Sequence, residues 1–275
     1  MTDMTGIITD IQHFSLHDGD GIRSTVFLKG CNMRCRWCHN PETLKPDPEE
    51  AYYPAKCIHC RHCKTGCPTG ARVTIGRAMT PDEVLEEVLR DRDYYTASGG
   101  GITVSGGEPY LQADFLTELL RLSKHHGLHT AVETNLSLPW DHIEKTLEHL
   151  DRVYFDIKLM DRAVHKEWTG IPNDTILSNA EKLISSGTPF TARTPLIPGV
   201  TDTDDNIRAV AAFLGKLAPG AGYELLNYNM LARSKYEPVH MTYSLPDLRP
   251  LRSDRLTGLK EIADREGVCC TVRKG

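Results

Sequence analysis

Cys31, Cys35 and Cys38 form C-x3-C-x2-C in the segment CNMRCRWC, directly after an apolar run. Three thiolates in one turn suit a cubane iron–sulfur cluster, which four cysteines normally complete. A set one ligand short leaves an iron for something else to occupy, and the chemistry is expected there. A zinc site would more often show C-x2-C pairs well separated in sequence. Cys35-Arg-Trp-Cys38-His39 also fits the C-x-x-C-H haem-attachment pattern. That alternative leaves Cys31 unused and requires an exported chain.

A second set, Cys57, Cys60, Cys63 and Cys67, has the spacing C-x2-C-x2-C-x3-C and is closed by Pro68, as in the bacterial ferredoxin run. Either all four hold one [4Fe–4S] cluster or one ligand comes from elsewhere. A zinc knuckle is the competing assignment, and the interleaved His59 and His62 are expected to be bystanders. Seven of the nine cysteines fall between residues 31 and 67, which points to metal or redox chemistry rather than a disulfide scaffold. Cys269 and Cys270, in the β-branched run VCCTV, are expected to be buried structural thiols on a last strand.

Elements must position these groups. The run at 22–29 predicts a buried strand that delivers the chain to Cys31. Thr80, Pro81 and Glu83 carry a capping-box signal, and Val84, Leu85, Val88 and Leu89 give the helix behind it one apolar face. Further strands are predicted at 101–105, 128–133, 152–157, 189–196 and 223–228. Helices are predicted at 110–126, 139–150, 173–186, 203–217 and 248–266. Strands alternating with helices predict parallel βαβ units. Polar groups gather after strand ends, at 106–108, Asn135, Lys158 and Asn229, where ligand sites collect in barrels. The fold class is therefore α/β, a partial, open (β/α)6-type barrel spanning 1–275 and interrupted at 48–76 by a small cysteine-rich, ferredoxin-like insert.

Composition bounds the rest. At 275 residues, 40% hydrophobic and 25% charged, the chain can bury a substantial core. Its net charge of −5 is interspersed, so neither nucleic acid nor a membrane surface is an expected partner. The N-terminus lacks a signal-peptide pattern, which predicts a cytoplasmic protein. Asp18-Gly19-Asp20-Gly21 lacks the remaining ligands of a calcium loop. The glycines at 99–101 and 106 precede a strand rather than a helix, so they are no dinucleotide fingerprint.

The cysteine triplet with Trp37 inside it, followed by SGGEP at 105–109, resembles the radical S-adenosylmethionine (SAM) superfamily. GIITDIQHFSLHDGDGIRSTVFLKGC, SGGGITVSGGEP, ETN, DIKLMD and PLIPGVTD are together similar to the glycyl-radical-enzyme activating enzymes, typified by pyruvate formate-lyase activating enzyme. The resemblance implies a [4Fe–4S] cluster on Cys31, Cys35 and Cys38, with SAM chelating the fourth iron. It implies cofactor contacts at Gly106, Gly107, Glu108, Lys158 and Arg193, with Asn229 where the family has histidine. Trp37, His39 and Asn135 join that set. A monovalent cation is implied at Glu133, an aspartate in the family, and Asp156. One electron would cleave SAM reductively, and the 5′-deoxyadenosyl radical would take a hydrogen from a glycine on a partner enzyme. An auxiliary cluster on the second cysteine set would relay electrons from a ferredoxin or flavodoxin. A radical enzyme acting on a small molecule or peptide is the alternative, and a plain two-cluster electron carrier would have no use for SGGEP or Lys158.

Overall fold

A computed structural model describes residues 4–63 and 66–273. Its strands are β1 (Gly6–Ser15), β2 (Arg23–Leu28), β3 (Glu49–Tyr52), β4 (Arg72–Ile75), β5 (Arg77–Met79), β6 (Gly101–Gly106), β7 (His129–Thr134), β8 (Arg152–Asp156), β9 (Phe190–Leu196), β10 (Gly222–Asn227) and β11 (Cys269–Arg273). One sheet has the order β11-β10-β9-β8-β7-β6-β2-β1-β5. From β11 to β2 every neighbour is parallel, whereas β1 and β5 close the far edge antiparallel. The two edges do not pair. Arg273 on β11 nevertheless donates to the His17 carbonyl beyond β1, so the sheet curls back on itself as an open, partial barrel.

The helices are α1 (Pro81–Val88), α2 (Arg92–Ser98), α3 (Ala113–His125), α4 (Trp140–Glu144), α5 (Arg162–Thr169), α6 (Asp174–Ser185), α7 (Asp204–Leu217), α8 (Arg233–Tyr236) and α9 (Ser253–Arg265). Thr80 accepts from the Glu83 N–H at 3.2 Å while the Glu83 carboxylate accepts from the Thr80 N–H at 2.7 Å, so the expected capping box forms. Helix α3 buries Phe115, Leu116, Leu119 and Leu120, and α7 buries Ile207, Val210, Ala211 and Leu214. Each fully buried Leu or Ile is worth roughly 1.5–3 kcal/mol. That outweighs the few tenths from an exposed pair such as Lys260–Asp264 on α9, so the apolar stripes fix the helices to the sheet.

Four expectations need correcting. The helix predicted at 139–150 stops at Glu144, because the buried Thr146 hydroxyl turns inward to the Ile143 carbonyl at 2.7 Å and the Tyr110 hydroxyl at 2.9 Å. The helix predicted from 248 begins at Ser253, since Pro250 and the extended Arg252 precede it. Helix α5 was not predicted, although Asp161 caps it through the Val164 N–H and Gly170, at φ +88°, ends it. Cys269 is exposed and Cys270 buried, because alternate strand residues face opposite ways.

Around the second cysteine set, β3 and β4 pair antiparallel from Glu49↔Ile75 to Tyr52↔Arg72. The predicted limits of the insert, 48 and 76, fall one residue outside this hairpin. Its base is tied to the main sheet by the buried Lys29, whose Nζ donates to Glu49 Oε1 at 2.8 Å and to the Glu42 carbonyl at 2.7 Å.

The end of β6 packs backbone to backbone on the end of β2. Gly106 has φ +116°, and a Cβ on Gly107 would lie 2.0 Å from the Gly30 carbonyl oxygen. The close approach these glycines permit is to the chain's own cysteine-bearing strand. Gly107→Ala should therefore cost about 2 kcal/mol or more in urea unfolding. Gly258→Ala, in α9 with open space around it, should stabilise by about 0.5–1 kcal/mol. Equal effects of the two substitutions would refute this packing.

Candidate active site

The carboxyl ends of β2, β6, β7, β8, β9 and β10 share one rim of the barrel, and each delivers polar groups to it. The loop after β2 carries the cysteine triplet, and its amides are divided between two tasks. The N–H groups at Met33 and Asn40 lie toward the sulfurs of Cys31 and Cys38 and favour their ionised forms. Those of Arg34 and Arg36 instead donate to the carbonyls of Thr169 at 2.7 Å and Trp168 at 3.1 Å, at the end of α5. Asn32, between the first two cysteines, donates to Ser137 Oγ at 2.7 Å and accepts from Asn135 Nδ2 at 3.3 Å. It therefore links the loop to the turn after β7.

Burial pushes the Cys31 and Cys38 thiols up to about 12 and raises Cys35 as well. Such thiols keep their protons at neutral pH until a metal displaces them. Among the described residues no three His, Cys, Asp or Glu side chains converge on a single ion. A cubane offers each cysteine a different iron, so three thiols along one loop suit it better than they suit a lone ion.

Glu108 is fully buried, with 0% exposure. Oε1 accepts from the Tyr110 N–H at 3.2 Å and the Thr134 hydroxyl at 2.8 Å, and Oε2 from the Asn135 N–H at 2.7 Å. Its carboxylate thus joins the end of β6 to the turn after β7 and lies inside the protein, not on an open wall. One lone pair of Oε2 remains for a further donor. Burial pushes the carboxyl up to about 7, against the pull of the Asn135 N–H, the Thr134 hydroxyl and the Tyr110 N–H.

A ladder of charges crosses the barrel. Ser105 donates to Glu133 at 2.7 Å, and Glu133 accepts from Arg193 Nη1. Arg193 Nε donates to Glu224 at 2.7 Å, and Glu224 also accepts from Arg273. The Arg193 guanidinium lies 3.9 Å from the Tyr154 ring centroid and is 6% exposed. Its Nη2 is buried and has no partner among the described residues. Burial alone would lower the Arg193 pKa, but Glu133 and Glu224 outweigh it. Lys158 pairs with Asp156 in the same way: burial opposes its charge, while the Asp156 carboxylate raises its pKa above the ordinary lysine value. Glu133 and Asp156 are thus each already paired with a cation.

The remaining predicted residues lie around this centre. Trp37 is buried beside Leu159, Ile197, Tyr228, Tyr236 and Tyr243, so it anchors the loop in an aromatic cluster. His39 meets Tyr228 edge-on at 6.3 Å, and burial and then Lys235 lower its pKa. Asn135 accepts from the Ser137 N–H at 2.9 Å, and Asn229 accepts from the Leu231 N–H at 3.1 Å. Tyr236 donates to the Cys38 carbonyl at 2.9 Å and Ser244 to the Arg36 carbonyl at 3.0 Å, so residues 228–245 cover the cysteine loop. Asn32, Thr134, Glu224 and this cover were not singled out from the sequence. Asn32 alone carried a local signal, its place between two cysteines.

In the insert Cys63 is exposed, and Cys57, Cys60 and Cys67 are partly so. His59 Nδ1 lies 3.9 Å from Cys57 Sγ. The Thr69 hydroxyl and nearby backbone N–H groups hold the Cys67 thiol down at about 7.

The Radical SAM superfamily profile matches residues 25–211. An indoleacetate decarboxylase activating enzyme of Tractidigestivibacter scatoligenes is 36% identical, over 98% of each chain. An isethionate sulfite-lyase activating enzyme of Nitratidesulfovibrio vulgaris is 40% identical, over 84% of this chain and 87% of that one. The crystal structure of a domain of a pyruvate-formate lyase-activating enzyme from Bacteroides vulgatus superimposes with a TM-score of 0.54 at 27% identity, over 64% of this chain and 99% of that one. The chain belongs to the radical SAM superfamily and, within it, to the activating enzymes of glycyl-radical enzymes. It is an iron–sulfur and SAM enzyme that places a glycyl radical on a partner protein. No helix among the described residues is long and apolar enough to cross a membrane.

The Glu108 carboxyl gives the metal-free protein a pH signature. Its folded pKa of about 7 lies above the ordinary 4.5, so the stability it contributes is complete below about 4.5 and is lost as pH rises through 7. Urea unfolding between pH 5 and pH 8 should show that decline, and Glu108→Gln should flatten it. An unchanged slope in the variant would mean that Glu108 is not the group responsible.

Proposed function

We propose that Cys31, Cys35 and Cys38 hold a [4Fe–4S] cluster and that SAM lies between it and the barrel ladder. When bound, the cluster and SAM supply one-electron reductive cleavage, which generates the carbon radical that takes the glycine hydrogen. The observation that carries the assignment is Arg193 Nη2. A buried donor without a partner costs about 1–3 kcal/mol. An acceptor oxygen of SAM would cancel that cost.

Lys158, held charged by Asp156, offers a second cation to the same ligand. Glu108 Oε2 keeps one lone pair for an ammonium, while its other bonds fix the Gly106–Gly107 turn and Asn135 around the ligand. Asn229 supplies an amide where the family has an imidazole, and its side-chain N–H donors suit a ribose or carboxylate oxygen. Trp37 and His39 hold the loop shut over the cluster. A monovalent cation at Glu133 and Asp156 belongs to this scheme, where it would share their carboxylates with Arg193 and Lys158.

The insert at 48–76 is proposed to be a separate ferredoxin-like module with one [4Fe–4S] cluster on Cys57, Cys60, Cys63 and Cys67. His59 and Arg61 adopt left-handed φ of 55° and 65°, so the chain bends sharply on both sides of Cys60, as wrapping a cluster would require. The Lys29–Glu49 tie places this hairpin beside the strand that ends in the first triplet. The module would pass electrons from a cytoplasmic ferredoxin or flavodoxin, with neither nucleic acid nor membrane as a partner. A glycine target suits a narrow barrel mouth because it has no side chain.

Anaerobically reconstituted protein should hold about eight iron and eight sulfide per chain, the content of two cubanes. Cys35→Ala should abolish SAM cleavage, whereas Cys60→Ala should retain part of it with an artificial reductant. About four iron with bound zinc would remove the relay. SAM cleavage undiminished in Cys35→Ala would remove the cluster assignment itself.

A further inference from the structure

We infer that helix α5 tunes the reducing power of the site cluster, with His165 as the positioning residue that holds the helix end in place. The inference rests on the proposal that Cys31, Cys35 and Cys38 bind that cluster, and it concerns groups to which that proposal gives no role.

The last carbonyls of a helix have no partner within it and carry its negative end. In α5 two of them, on Trp168 and Thr169, accept the N–H groups of Arg36 and Arg34 inside the cysteine loop. This has two consequences. The negative end of the helix is held against the loop, which disfavours adding an electron there. Two loop amides are also committed to the helix end and so are unavailable to the sulfurs. Hydrogen bonds to cluster sulfur and nearby charge are main determinants of its potential. Both consequences lower the potential, so the electron that reaches the sulfonium is more strongly reducing. Lys158, close to Cys35, acts in the opposite direction, and the helix end offsets it.

His165 shapes that helix end. It is 1% exposed, and its Nδ1 lies 2.7 Å from the Ile171 carbonyl and 3.1 Å from the Thr169 hydroxyl. Thr169 Oγ1 in turn lies 2.8 Å from the His165 carbonyl and 3.2 Å from the Ile171 carbonyl. These bonds fold the chain past Gly170 so that the carbonyls of 168 and 169 face the loop. His165 Nε2 is buried without a partner among the described residues. Burial depresses the imidazole pKa against the pull of the Ile171 carbonyl, and Lys158 adds to the depression. The ring is therefore neutral with its proton on Nδ1, where it donates to Ile171. A charged ring at this position would work against the helix end.

The test is an EPR-monitored redox titration of the site cluster in protein whose insert cysteines are replaced, so that one cluster is observed. His165→Ala should shift the midpoint potential to a less negative value and slow SAM cleavage, with iron content and SAM affinity unchanged. His165→Asn, whose amide N–H can reach the Ile171 carbonyl, should restore the wild-type midpoint. If His165→Ala does not retain iron, Thr169→Val, which removes the hydroxyl at nearly constant volume, decides by the same shift. A midpoint unchanged in iron-loaded His165→Ala, or in Thr169→Val where that variant decides, overturns the inference. Absence of the reduced-cluster signal from the parent protein would instead overturn the cluster assignment, which keeps the two failures distinct.

Discussion

The unfinished charge ladder through the barrel is the interaction on which this site depends. Arg193 is buried between Glu133 and Glu224, stacked on Tyr154, with one nitrogen unpaired. Buried ion pairs of this kind rarely stabilise a fold better than apolar residues of the same volume, yet removing one member costs about 3–5 kcal/mol. Stability alone therefore gives weak reason to keep the ladder. A ligand that presents an acceptor to Arg193 gives a stronger one. Through Arg273 the same ladder reaches the loop after β1, so the group proposed to meet the ligand also helps to hold the open barrel curled.

Around the ladder, the strand ends are joined so that the cysteine loop cannot move independently. Gly107 places β6 directly on the backbone of β2, and Glu108 binds the turn after β7. Asn32 joins that turn to the loop, α5 holds two of its amides, and Tyr236 and Ser244 hold two of its carbonyls. The contacts come from many parts of the chain and converge on eight residues, 31–38. A loop held from so many sides keeps its thiols in place, which would lower the ordering cost of binding a cluster there.

The parts of this arrangement visible in the sequence were those written in short spacings. The cysteine sets, the SGGEP turn, the Thr80 capping box and the apolar runs of the parallel strands all declare themselves within a dozen residues. What escaped notice depends on distant partners. Glu108 looks like an exposed acceptor until Thr134 and Asn135 close over it, and Glu133 looks unpaired until Arg193, sixty positions away, donates to it. Helix α5 has only eight residues and buries His165 and Thr169 rather than aliphatic side chains, so its signals were the caps Asp161 and Gly170. Strand β1 alternates half-buried and exposed residues from Thr9 to Phe14, a pattern weaker than the continuous buried runs of β2 and β6. The cover at 228–245 has little regular structure to announce it.

Positioning, burial and charge balance thus act together: a loop of half-buried thiols beside Lys158 and Arg193, two cations held by the carboxylates of the barrel rim. The most direct measurement is EPR of a partner glycyl-radical enzyme mixed anaerobically with the reduced protein and SAM. The account predicts a glycyl doublet on the partner with the intact protein and none with Cys35→Ala. Cleavage of SAM with no doublet on any glycyl-radical enzyme encoded beside this chain would contradict it.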